Sequence, residues 1–132
     1  MAWQFDSVTP IYLQIIMAIR SGVLKGTYPP GSKLPTVREL ALQAGVNPNT
    51  VQRALTEMER DGLLHAERTT GRYVTTDQAV LENTRHKVSA AAIAAMCDKL
   101  RGLGLDDGQI IGQVEQWMKE NQENEEKEID IE

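Results

Sequence analysis

The residues best suited to chemistry in this chain are ones that grip rather than react. Within VNPNTVQRA, Asn47, Asn49, Thr50, Gln52 and Arg53 gather amides, a hydroxyl and a guanidinium in one short stretch. Such groups donate to and accept from base edges and phosphate oxygens, and no carboxylate follows until Glu57. Reactive constellations do not stand out. The single cysteine, Cys97, lies in an alanine-rich stretch without an adjacent base, and His65 and His86 lack zinc-site spacing. With no paired acids, activated nucleophile or phosphate loop, the expectation is no catalytic residue, no metal, no cofactor and no enzymatic turnover.

Holding the amide-rich stretch requires a helix on either side of a tight turn. Thr36 with Glu39 has the form of a capping box, the hydroxyl serving the Glu39 amide and the carboxylate reaching back. The helix it starts has Val37, Leu40, Ala41 and Ala44 on its apolar face. Gly45 supplies permissive backbone for the turn. Asn47 and Pro48 then read as cap and first position of a second helix. That helix places Val51, Ala54, Leu55 and Met58 on one face at i, i+3, i+4 and i+7. Arg53 precedes Glu57 by one turn, but an exposed pair of that kind contributes only about 0.2–0.5 kcal/mol, which leaves the arginine free for phosphate.

Upstream, TPIYLQIIMAIRSGVLKG predicts another helix, with Thr9 as cap, Pro10 first and Gly26 past its end. Tyr12, Ile15, Ile16, Ile19 and Val23 share a face, and Gly22 marks a place for a break. TYPPGSKLP predicts an ordered, turn-rich link. Downstream, residues 63–68 and 72–75 alternate like two short strands around a turn at 69–71. Three helices and such a hairpin compose a winged helix-turn-helix domain over residues 1–77.

Residues 78–120 predict two further helices. Leu81, Val88, Ala92, Ala95 and Leu100 recur along the first, and Gly102 and Gly104 end it. Asp106 with Gln109 forms a second capping box, and Ile110, Val114, Trp117 and Met118 make the stripe of the second, with Ile111 at its margin. Two helices alone bury both stripes poorly, which predicts packing against the same pair from a second chain. The fold class is therefore mainly α with a small β-hairpin: a winged helix-turn-helix followed by a short two-helix dimerisation domain.

Composition sets the remaining bounds. The chain has 132 residues and 41% hydrophobic content, room for one small domain and an appendage. Its net charge of -5 taken whole opposes a nucleic-acid partner, but residues 1–77 carry a net +1 and residues 121–132 a net -5. The acidity is concentrated in the end segment, expected to be a disordered, solubilising tail. No apolar run is long enough for a bilayer, MAWQFDSVTP lacks the form of a secretion signal, and one cysteine fits a reducing compartment. The expected setting is cytoplasmic, without a membrane partner.

The run from PIYLQIIMAIRSGVLKG through PGSKLPTVRELA, TVQRAL and DGLL to the closing Gly-aromatic-Val resembles the DNA-binding domain of GntR-family bacterial transcription regulators. The detail GVNPNTVQRA, the short second part and GLGLDDGQIIGQVEQWMKE are similar to the YtrA-type branch. The resemblance implies a double-stranded DNA operator as partner and roles for particular residues. Arg38 matches an arginine set against the operator, while Asn47, Pro48, Asn49, Thr50 and Gln52 match positions facing the major groove, with Arg53 beside them. Arg68, Thr69, Thr70 and Gly71 match the wing tip, and Arg72 adds a charge next to it. Other branches often carry arginines in place of Pro48 and Gln52, and a Gly-Lys pair in place of Thr69 and Thr70, so base preference should differ from theirs.

The resulting expectation is a homodimeric regulator, a repressor reading an inverted repeat, with control of a neighbouring transporter operon implied by the branch. A small-molecule effector between dimerised helices is also compatible, although no residue identifies one. The alternative is a winged-helix protein-interaction module that does not bind DNA. Net acidity favours that alternative, and the carboxylate-free start of the second motif helix opposes it.

Overall fold

The computed structural model describes residues 3–131, with side chains described up to residue 122. Among the described residues the chain forms five helices and one two-stranded antiparallel sheet, in the order α1 (Ile11–Leu24), α2 (Val37–Ala44), α3 (Pro48–Arg60), β1 (Leu64–Glu67), β2 (Gly71–Val74), α4 (Gln78–Gly102) and α5 (Asp107–Ile131). The expected architecture, mainly α with a small β-hairpin and a helical C-terminal part, is the observed one. Contacts divide the chain into two compact units, residues 1–86 and 87–132.

The first unit is organised around α1 and α3. Ile15, Ile19 and Val23 of α1 are buried with Val51, Ala54, Leu55 and Met58 of α3, and Leu40 and Ala41 of α2 close the cluster. Each fully buried Leu, Ile or Met contributes about 1.5–3 kcal/mol of transfer free energy. Leu81 of α4 belongs to the same core, and the Arg85 guanidinium donates to the Leu24 carbonyl at 2.8 Å. The opening turns of α4 therefore belong with the first unit, beyond the boundary that the sequence places at residue 77.

Several local details differ from the sequence reading. Pro10, not Thr9, occupies the N-cap of α1, without a side-chain cap. Thr9 is used otherwise: its amide donates to Asp6 Oδ1 at 2.8 Å, and its carbonyl accepts from the Gln14 side chain at 2.7 Å. The Asp6 carboxylate, which also accepts from the Val8 amide, is held below its ordinary pKa by these backbone donors. Gly22 does not break α1. A Cβ there would stand 2.7 Å from Tyr28 Cε2, so the glycine admits the Tyr28 ring.

The PGSKLP segment is more than a link. The Gly31 amide donates to the Val74 carbonyl, the Val74 amide to Ser32 and the Leu34 amide to Arg72, each at 2.9 Å. Residues 31–34 thus run alongside β2, held to it by these bonds and by an isolated bridge between Lys33 and Tyr73.

In the second unit, Asp106 and Gln109 form the reciprocal capping box, each amide bonded to the other's side chain at 2.9 Å. Gly102 is the last residue of α4, and Gly104, at φ 90°, turns the chain out of it. α5 continues to Ile131, so its backbone stays helical through the acidic segment expected to be disordered. Glu, Gln and Lys lose little side-chain freedom in a helix, and no glycine or proline interrupts them. Glu132, and the tail's side chains past residue 122, lie outside the described residues.

Candidate nucleic-acid interface

The start of α3 is prepared by its own sequence. Asn47 Oδ1 accepts from the Asn49 amide at 2.8 Å, and Pro48 fills the first helical position, where a missing N–H is harmless. With one face of α3 buried, Asn47, Pro48, Asn49, Gln52 and Arg53 are exposed and Thr50 is half-buried. The first turn contains no acid. Asn47 serves as a cap through its oxygen alone, which leaves its amide donors for a ligand. The acids further along α3 are internally engaged: Glu57 pairs with Arg60 at 3.4 Å and Glu59 pairs with Arg72.

Arg53 does not pair with Glu57. Its guanidinium lies over the Tyr12 ring, 3.6 Å from the centroid. Arg38, on the first turn of α2, is exposed and enters no ion pair among the described residues. It stands just beyond Thr36, whose hydroxyl accepts from the Glu39 amide at 3.1 Å. The return bond of that capping box is not made among the described residues, since the exposed Glu39 carboxylate stays in water.

β1 and β2 pair with Leu64 opposite Val74 and Glu67 opposite Gly71. The Thr70 amide closes the turn on the Glu67 carbonyl at 3.4 Å, presenting exposed Arg68, Thr69 and Thr70 at the tip. Gly71 has φ 127°, a backbone conformation that favours glycine, while the nearest atom to where its Cβ would be is Cε of the flexible Lys33 side chain, at 2.9 Å. Arg72 is the exception among the site candidates. Its side chain is 20% exposed and ion-paired with Glu59, which ties the wing to α3 and removes Arg72 from the free cations.

Sequence reasoning missed two residues here. Lys33 brings an exposed cation beside Gly71 at the turn of the wing, signalled only by a lysine within a proline-rich run. Tyr12 meets Arg53 across a long sequence separation that no periodicity reveals. Among the described residues no group of His, Cys, Asp and Glu has metal-binding geometry, and no helix is long and apolar enough to cross a membrane.

A recognition helix open at its N-terminal end, supported by two others and flanked by a wing, defines a winged helix-turn-helix DNA-binding protein. Residues 11–74 match the model of the bacterial regulatory proteins of the gntR family. The HTH-type transcriptional repressor YtrA of Bacillus subtilis is 37% identical over 117 residues, spanning 86% of this chain and 85% of YtrA. A GntR family transcriptional regulator from Listeria monocytogenes superposes with a TM-score of 0.81 at 36% identity, covering 85% of this chain and 98% of the other. The AraR DNA-binding domain in complex with operator ORX1 matches 55% of this chain and 93% of its own length, with a TM-score of 0.52 and 30% identity. The chain belongs to the GntR family. It is a DNA-binding transcriptional regulator and not an enzyme.

Proposed function

We propose that this regulator is a cytoplasmic homodimeric repressor in which two α3 helices read an inverted-repeat operator, placed before a transporter operon as the YtrA-type resemblance implies. The observation that carries the dimer is the unburied apolar stripe of the second unit. Trp117 is 63% exposed, and Met118 and Ile111 are 60% exposed. With Met96, Leu100 and Val114, Trp117 and Met118 line a groove of about 450 Å³. A second copy offers a matching stripe, and that pairing leaves the effector reading without a chemistry to commit to.

Base reading falls to Asn47, Asn49, Thr50 and Gln52, with Pro48 shaping the surface they share. Phosphate contact falls to Arg38, Arg53 and Arg68, with Thr69, Thr70 and Gly71 letting the wing tip approach. These arginines supply about six phosphate contacts per dimer, for a log-log salt slope near -5. Arg38→Ala should weaken operator binding and flatten that slope.

The deciding experiment selects bound fragments from random duplex DNA with the purified protein and sequences them. An enriched inverted repeat supports the dimeric reading, and a single enriched half-site removes the twofold. No enrichment at low salt with folded protein favours the protein-interaction module instead.

A further inference from the structure

Tyr12 falls on the face of α1 expected to be buried, yet it is not among the residues packed against the core. It is half-buried, and its ring lies beneath the Arg53 guanidinium of α3. Aromatic rings attract a guanidinium through the face of the π system, while all the arginine's N–H groups point outward in its own plane. The stack thus fixes the side chain without consuming a donor. Among the described residues Arg53 has no carboxylate partner, because Glu57 has turned to Arg60. A long arginine free in water would lose rotamer freedom on gripping a phosphate, whereas one already lying on a ring loses less.

We propose that Tyr12 is a positioning residue for operator binding, holding Arg53 beside the exposed start of α3 with its donors free for a DNA phosphate. The inference rests on the DNA-binding reading. It adds to that reading a residue on α1, outside the helix-turn-helix. Two stacks per dimer multiply their effects on affinity, about threefold each, so replacing the ring should weaken binding about tenfold.

The test uses fluorescence anisotropy with the full chain, on the duplex enriched from the random pool and on an unselected duplex of equal length. Tyr12→Met, which keeps an apolar side chain and removes the ring, should weaken binding to the enriched duplex about tenfold with little change in melting temperature. Tyr12→Phe should stay within about twofold, because the face and not the hydroxyl does the holding. In an Arg53→Ala background, Tyr12→Met should have no further effect. An equal loss in both backgrounds, no loss, or tighter binding by Tyr12→Met would each overturn the proposal, the last by showing that the ring holds Arg53 away from DNA. Should Tyr12→Met fail to fold, the wild-type protein still decides: the Arg53 Hε resonance should lie upfield under the ring current, and an ordinary shift rejects the stack. Wild-type protein that binds neither duplex defeats the DNA-binding reading itself, an outcome separable from any effect of Tyr12.

Discussion

In residues 1–86, Ile15, Ile19, Leu40, Leu55, Met58 and Val74 are almost wholly removed from water; among the described residues of 87–132, Ile110 alone is a buried hydrophobic. Both units contain helices that carry apolar side chains. The first stacks three of them with a sheet, so each apolar face meets another, whereas the second has two helices and leaves Ile93, Ile111, Trp117 and Met118 to solvent. Apolar residues become a core only when enough elements are present to enclose them. One unit has them within the chain, and the other has them in the proposed dimer.

Substitutions should therefore separate the two units. Leu55→Ala removes a side chain 1% exposed and should destabilise the first unit by about 3 kcal/mol, read by urea denaturation. A cost below about 1 kcal/mol would mean that core is loosely packed. Trp117→Lys should leave that core intact yet raise the dimer dissociation constant about thirtyfold, as loss of an interface anchor does. Analytical ultracentrifugation would measure it, and an unchanged constant would put the contact elsewhere.

Two glycines give a finer contrast. Gly22→Ala forces a methyl against the Tyr28 ring, whose amide is bonded to the Gly22 carbonyl, and should cost a net of about 1 kcal/mol despite alanine's better helix propensity. Gly112→Ala meets nothing within 4 Å and should stabilise by up to about 1 kcal/mol in thermal melts. A loss at Gly112 would instead place it against a partner helix. The smallest effect concerns Asp6. Its folded pKa is lowered, so its contribution is present above the unfolded value and is lost as pH falls through the folded one. Amide exchange at Val8 and Thr9 should accelerate below the ordinary carboxylate range, and Asp6→Asn should abolish that pH dependence.

The helix-turn-helix was legible because its signals are local: Thr36 and Asn47 as caps, Gly45 as turn, and the spacing of Val51, Ala54, Leu55 and Met58. The Asp106 and Gln109 box was equally plain. What escaped depends on contacts between distant segments. Residues 31–34 look like a loop until β2 lies beside them, and Gly22 looks like a defect until Tyr28 fills its place. In the site, sequence spacing offered Arg53 the partner Glu57 and left Arg72 free, whereas the tertiary fold gives Arg53 to Tyr12 and Arg72 to Glu59.

The wing's two ends have different obligations. At its base, β2 is held by β1, by residues 31–34 and by the Arg72 to Glu59 pair, so changes there disturb the scaffold. At its tip, Arg68, Thr69 and Thr70 are exposed and support no buried group. Variation can accumulate at those three positions at little cost to folding, so under the proposed wing contact a lineage can retune operator preference there while the rest of the domain stays fixed.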